Sequence, residues 1–426
     1  MRRTVLITSV YFPPSALSGP KRLLAFAKYL PEYGWDTTVL TANPRVYEAV
    51  DPASVRLIPD SCEVHRTFAL DVKRQLGIRG RYPSILARPD RWASWIPSAV
   101  LRGLLLIKQR NVRAILSSYP AMTSHCVAYW LNRLTGVPWI ADFRDPVTGV
   151  DNVLAPNILR SRLCWEERTL RRAARIIFTT AGAARSCAER HPETGGPNRI
   201  SVIANGYDDD AFSDVPEQPV RAGNGRPLVL VHSGLLYPEG RNPVPFLTAL
   251  AQLAAAGDAN ARAVRVVLRA SGSEQRYADA ISRLGIESIV SLGPRISGRD
   301  ALIEQAQADG LLLFQGPQYD HQIPAKVYEY MRIGRPVFAL VGENGDTAAL
   351  LRSTGGAEIV PIDDVSTIQT RLHAFIGTLR NGTAPHVEPS VAAQFSRRAQ
   401  TGKLAELLGQ MESRMQRQGS HIGSGI

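Results

Sequence analysis

Short apolar runs alternate with longer segments in which apolar residues recur at helical spacing, and this alternation organises the chain. Residues 4–10 are apolar and rich in β-branched side chains, as a strand buried on both faces should be. Residues 21–33 read as a helix stopped by Gly34, and 36–41 as a second strand. From 43 to 97 the pattern is irregular, with proline and arginine scattered through it. Regularity returns with a strand at 113–117, a helix at 123–135 closed by Gly136, and a strand at 138–142. A basic amphipathic helix is predicted at 159–174, then strands at 175–180 and 199–204. Strands separated by helices predict a parallel sheet covered on both faces.

Residues 205–226 change character: Asn205-Gly206, then Asp208-Asp209-Asp210, then several Pro and Gly. The alternation restarts beyond them. Strands are predicted at 227–232, 264–270, 289–292, 310–314, 336–340 and 358–360, with helices between most of them. The fold class is therefore α/β, with two Rossmann-like domains. The N-terminal domain spans 1–210, a linker 211–226 and the C-terminal domain 227–390. An amphipathic stretch with Phe395, Leu404, Leu407 and Leu408 predicts a helix over 391–415, and 416–426 reads as a disordered tail. Two doubly wound sheets facing one another form a cleft at the carboxyl ends of their strands, where such sheets bind ligands.

Composition narrows the classes. A length of 426 residues exceeds one compact core, and 44% hydrophobic with 21% charged residues excludes a fibre or a disordered chain. No apolar run reaches the about 18 residues of a membrane-spanning helix. The first apolar stretch runs into Tyr11-Phe12-Pro13-Pro14 without a small-residue cleavage site, so it reads as a strand of a cytoplasmic protein. Cys62, Cys126, Cys164 and Cys187 lie far apart without a Cys-x-x-Cys, which predicts free thiols and no zinc site. The net charge of +12 is uneven: residues 1–200 carry 29 Lys and Arg against 15 Asp and Glu, whereas 201–426 carry 21 against 23. A basic first half suits an anionic partner, either a phosphorylated substrate or a lipid headgroup layer, and is equally explained by an arginine-rich surface that serves solubility. Nucleic acid is excluded as a partner, since no motif of a nucleic-acid reader is present.

The loops at predicted strand ends carry the candidate chemistry. Gly19 precedes a helix flanked by Lys21 and Arg22, where backbone N–H groups suit a phosphate, although an ordinary capped turn would look the same. No Gly-x-Gly-x-x-Gly fingerprint is present, which disfavours a nicotinamide dehydrogenase. His125 falls in the first turn of a helix. Asp142-Phe143-Arg144-Asp145-Pro146 brings two carboxylates and an arginine off one strand. In the second half, His232-Ser233-Gly234 ends a strand and Arg241-Asn242-Pro243 opens a helix. Lys326 and Glu329 share one helical face in Ile323-Pro324-Ala325-Lys326-Val327-Tyr328-Glu329-Tyr330, where they could bind a phosphate and a sugar hydroxyl pair or bind each other.

Taken together, these segments and Asn205-Gly206-Tyr207-Asp208 resemble the retaining GT-B-fold glycosyltransferases of the family 4 type, in a subgroup with an Ile-Pro-x-Lys-x-Tyr-Glu-Tyr segment. The resemblance runs from Val5 to about Leu408. It implies a GT-B fold whose last helix crosses back to the N-terminal domain. It implies an acceptor-binding N-terminal domain, with Asp142, Arg144 and Asp145 on the acceptor side, and a C-terminal domain for the nucleotide-sugar. Donor-binding residues would be Gly19, Ser233, Gly234, Arg241, Lys326 and Glu329, with Glu329 on the ribose. Catalytic residues would be His125, on the transferred sugar, with Arg241 and Lys326 on the leaving diphosphate.

Two positions depart from the family. The first Glu of its Glu-x7-Glu motif falls at His321, and the first cation of its Arg/Lys pair at Leu235. The family mechanism needs neither cofactor nor metal: fixed cations and helix N-termini hold the developing negative charge, and the departing phosphate takes the acceptor's proton. The run Asp208-Asp209-Asp210 lies in the linker and is assigned no metal. The implied products are polysaccharide, glycolipid or another glycoconjugate, made from a lipid-linked or phosphorylated acceptor. Peripheral contact with an anionic inner membrane face fits Arg91-Trp92-Ala93-Ser94-Trp95 and the arginines at 168, 171, 172 and 175. The alternative is a GT-B-fold protein that binds a sugar nucleotide or a partner subunit without turnover.

Overall fold

A computed structural model describes residues 3–17, 19–77, 82–148, 155–194, 199–216 and 226–422. The chain forms two compact units. The first comprises Met1–Ala204 together with Arg397–Ile426, and the second Asn205–Ser396.

The first unit is built on seven parallel strands: β1 (Arg3–Ser9), β2 (Trp35–Ala42), β3 (Glu63–Thr67), β4 (Val112–Tyr119), β5 (Trp139–Phe143), β6 (Arg175–Phe178) and β7 (Ile200–Val202). Their order in the sheet is β3-β2-β1-β4-β5-β6-β7, so the chain reverses direction of travel between β1 and β4. Helices cover both faces. On one side Leu6, Leu40, Ile115 and Ala141 pack with Trp95, Cys126, Leu131 and Trp139. On the other, Val5, Ile7, Val39 and Ile140 pack with Leu23, Phe26 and Leu30, and with Leu404, Leu407, Leu408 and Met411 of the terminal helix Arg397–Ile422. That helix is also tied by the ion pair of Arg3 with Glu412 at 2.6 Å.

The second unit has six parallel strands: β8 (Leu228–Ser233), β9 (Val264–Arg269), β10 (Val290–Gly293), β11 (Gly310–Gln315), β12 (Val337–Val341) and β13 (Ala357–Val360). Their order is β10-β9-β8-β11-β12-β13, which puts the switch point between β8 and β11. Leu230, Phe246, Leu250, Val266, Leu312, Phe338 and Phe375 form its core.

Several expectations change. The irregular region holds an unexpected edge strand, β3, and a fifteen-residue helix, Trp95–Gln109, begins at its end and fills the stretch left unassigned before β4. Trp92 and Trp95 are buried, and the indole N–H of Trp95 donates to Thr67. Arg91 is engaged with Glu48 and Asp71. The Arg91–Trp95 segment is therefore core and offers no aromatic anchor to a membrane. Arg175 is also buried. The stretch 391–415 is two helices, because Phe395 packs on Tyr328 and Ser396 bridges to Tyr207 before Arg397 starts the terminal helix. The expected tail is helical as far as Ile422, and 423–426 lie outside the described residues. Of the expected linker, 217–225 also lie outside them.

Candidate active site

Each sheet reverses its strand order at a switch point, between β1 and β4 and between β8 and β11, and the candidate residues are described from these two places. In the first unit, Gly19 caps the helix Pro20–Tyr29, which follows β1. The guanidinium of Arg144 lies against it, so that a Cβ at Gly19 would stand 2.0 Å from Nη1. Arg144 pairs with Asp145 at 3.1 Å, and both remain partly accessible. Together with Tyr11, Tyr119 and Pro120, Gly19 and Arg144 line a small hollow of about 30 Å³.

Asp142 does not join them. It is fully buried, and Arg22 grips both its oxygens at 3.0 and 3.2 Å. Ser118 donates a third bond at 3.0 Å. Arg22 in turn donates to the carbonyls of Ile203 and Ala204. Asp142, expected on the acceptor side, is thus an interior anchor joining the β5 end to the β7 exit. No spacing or motif pointed to Arg22, 120 positions earlier, as its partner.

His125 also stands apart. It sits in the first turn of the helix Met122–Thr135, as expected, but has no exposed atom. Its ring packs 4.6 Å from Phe143 and between Tyr119 and Trp139, and Nδ1 meets the Ser117 hydroxyl at 2.7 Å. Burial alone pushes its pKa down to about 3, so the ring is neutral. This enclosure corrects the expectation that His125 touches a transferred sugar.

The second unit brings its candidates together. His232 and Ser233 end β8, and the helix Ala325–Ile333 follows β11, so the β8–β11 switch point sets Lys326 beside them. The ammonium of Lys326 donates to the Ser233 carbonyl at 2.8 Å. Gly234 has a φ of +123° and would put a Cβ 3.0 Å from Nζ of Lys326, so glycine meets both a backbone and a space requirement. Arg241 lies between the rings of Tyr237 and Tyr319, at 5.0 and 5.5 Å. Its buried Nε has no hydrogen-bond partner. Among the described residues, neither Arg241 nor Lys326 has a carboxylate within ion-pair distance. Burial first, and then the Arg241 cation, push the pKa of Lys326 down to about 7, while Glu329 opposes them. Glu329 lies on the Lys326 helix, and its carboxylate takes no hydrogen bond or ion pair among the described residues.

The rest of the motif explains itself by packing. Pro324 caps the helix without a side-chain hydrogen bond, Val327 is buried, and Tyr328 packs on Phe395. Tyr330 stands one turn beyond Lys326 and donates to the Leu312 carbonyl at 3.3 Å. The aromatic pair around Arg241 was not foreseen, because Tyr237 and Tyr319 are far apart in sequence. Leu235, where the resemblance led us to expect a cation, is 59% exposed, and His321 is also exposed.

Residues 20–206 match the family described as Glycosyl transferase 4-like domain. No curated protein matches the chain by sequence. Among solved structures, Anabaena HepE in complex with UDP and glucose is 16% identical with a TM-score of 0.62, covering 96% of this chain and 100% of its own. A glycosyltransferase from Rickettsia africae gives 13% and 0.64, with coverage of 96% and 98%. Sucrose-phosphate synthase from Thermosynechococcus elongatus gives 15% and 0.57, with 99% and 100%. The two α/β units and their parallel sheets are those of the GT-B fold. No helix among the described residues is long and apolar enough to cross a membrane.

Proposed function

We propose that the protein transfers a sugar from a nucleotide-diphosphate sugar to an acceptor hydroxyl, with retention of configuration. The observation that carries this reading is the pair of cations at the β8–β11 switch point, Arg241 and Lys326, which no carboxylate neutralises among the described residues. Two such cations, half-buried side by side, call for an anion of at least two charges. A diphosphate meets that need, and the uncapped start of the Lys326 helix adds backbone donors. Glu329, free on the same helix, takes the ribose hydroxyls. Breaking the sugar–phosphate bond adds negative charge to the diphosphate, and Arg241 and Lys326 hold it in place without a metal. The leaving phosphate oxygen accepts the proton of the attacking hydroxyl, so no protein nucleophile is required.

The acceptor belongs to the first unit in this reading, near Gly19, Arg144 and Asp145. Its positive charge favours a lipid-linked or phosphorylated acceptor, in polysaccharide, glycolipid or other glycoconjugate synthesis in the cytoplasm. Peripheral contact with an anionic membrane is part of the proposal, keeping Arg168, Arg171 and Arg172 of the sequence reading but replacing the Arg91–Trp95 segment. The helices Trp95–Gln109 and Met122–Thr135 pack closely where Gly103 meets Leu131. Leu101, Leu105, Trp130 and Leu134 on them are 67%, 48%, 40% and 58% exposed. Lys108, Arg133, Arg168, Arg171 and Arg172 are exposed on these helices and the adjoining helix Pro156–Arg172.

Binding without turnover is the second reading, favoured by Leu235 and His321 at positions the family fills with charge. Product analysis separates the two. Incubation with a matching sugar nucleotide and acceptor should release nucleoside diphosphate and give a glycoside of unchanged anomeric configuration by NMR. Tight binding without release would support the non-catalytic protein, and an inverted product would reject retention.

A further inference from the structure

His232 closes β8 without an exposed atom. Its Nδ1 lies 2.9 Å from the carbonyl oxygen of Leu312 on β11. A carbonyl can only accept, so Nδ1 carries the proton and Nε2 presents a lone pair. That lone pair faces Nζ of Lys326 at 3.2 Å. A second ammonium hydrogen goes to the Ser233 carbonyl at 2.8 Å. Two of the three donors of Lys326 are thereby fixed by the end of one strand, and one remains. Tyr330 pins the same helix to the same Leu312 carbonyl, whose two lone pairs serve both donors.

We propose that His232 is a positioning residue of the anion site: as a neutral acceptor it holds the Lys326 ammonium so that the remaining N–H and the charge are presented beside Arg241. The inference deepens the diphosphate reading and rests on it for its purpose. The groups that face Lys326 are His232 from β8, Arg241 ahead of the helix Val244–Ala255, and Glu329 on its own helix. Only Glu329 carries a negative charge among them, so the ammonium depends on neutral acceptors to remain protonated in a half-buried place. Burial and the two neighbouring cations hold His232 well below the usual histidine range, which keeps its lone pair available. Without that acceptor, Lys326 would lose its proton at lower pH and lose its fixed direction.

Two near-isosteric substitutions divide the roles of the ring. In His232→Asn the amide reaches the Nδ1 position, keeping a donor for Leu312 but no acceptor for Lys326. In His232→Gln the amide oxygen reaches the Nε2 position and keeps the acceptor. Competitive acetylation of Lys326, followed across the neutral range by mass spectrometry, reads its titration without any ligand. The Asn variant should move the midpoint down by about one pH unit, the scale of one hydrogen bond to a charged group, and the Gln variant should leave it in place. Affinity for inorganic pyrophosphate near neutrality should fall about tenfold in the Asn variant only. The reverse pattern, or equal midpoints in both variants, would reduce His232 to an anchor for Leu312 and overturn the proposal. If the Asn variant does not fold, the Gln variant decides: an unchanged midpoint supports the proposal and a lowered one rejects it. Wild-type protein that ignores pyrophosphate while the two variants still split by labelling would sink the diphosphate reading alone.

Discussion

At the scale of single residues, Arg241, Lys326 and Glu329 are charges that the fold leaves without an ion-pair partner among the described residues. Glu329→Ala should abolish binding of the sugar nucleotide while leaving the thermal transition unchanged, because the carboxylate makes no intramolecular bond among the described residues. Calorimetric titration checks this, and wild-type affinity in the mutant would remove Glu329 from the ribose. Arg241→Ala and Lys326→Ala should each slow transfer by roughly tenfold or more, and should weaken nucleoside diphosphate more than nucleoside. Equal losses for the two ligands would point to a structural role. Lys326 adds a pH dependence. With a pKa pushed down to about 7, it loses its proton as pH rises through neutrality, so diphosphate affinity should fall on the alkaline side. Lys326→Arg should flatten that slope. That Lys326 and Glu329 share a helix and that Lys326 lies beside the β8 end and Arg241 could be anticipated, because each is a polar residue in a segment whose place near a strand end was clear. Asp142 and His125 misled because a polar residue at a strand end can also turn inward. Only the fold showed Arg22 closing on Asp142 and three aromatic neighbours closing on His125.

At the scale of elements, hydrophobic pattern gave most strands their place, since both faces of a parallel sheet are covered and its strands are continuously apolar. It missed β3 for the converse reason. Glu63-Val64-His65-Arg66-Thr67 is an edge strand with no fully buried residue, so it has no apolar run. The helix Trp95–Gln109 was hidden by Pro89 and Pro97 and by leucines at 101 and 105 that face outward. The terminal helix was seen, with its apolar residues, but not its break at Ser396. Its attachment is testable. Leu404 is fully buried among Leu23, Phe26 and Leu30, so Leu404→Ala should cost about 2–5 kcal/mol of stability by denaturant unfolding. A loss below about 0.5 kcal/mol, the range of surface substitutions, would mean the helix is not part of the first unit's core.

At the scale of the whole molecule, charge and exposed apolar surface belong to the same unit. Residues 1–200 carry 29 basic against 15 acidic side chains, and the helices Trp95–Gln109 and Met122–Thr135 add four exposed apolar side chains. Each basic residue near an anionic surface contributes about 1 kcal/mol, and salt screens it within about 8 Å at physiological strength. The protein should therefore float with anionic vesicles at low salt, less so at high salt. Leu101→Ser with Trp130→Ser should weaken the contact without altering sugar-nucleotide binding. Equal partition to neutral and anionic vesicles would leave a soluble phosphorylated acceptor as the reason for the charge.

The central claim is that the cations at the β8–β11 switch point hold the diphosphate of a sugar nucleotide. Thermal unfolding with a panel of nucleoside diphosphates and their sugar conjugates tests it most directly, since a ligand of the native fold raises the transition by mass action. At least one base should raise the transition of the wild-type protein as its diphosphate and not as its nucleoside, and the rise should vanish in Lys326→Ala. A panel that leaves the wild-type transition unmoved, or a rise that survives in Lys326→Ala at full size, would contradict it.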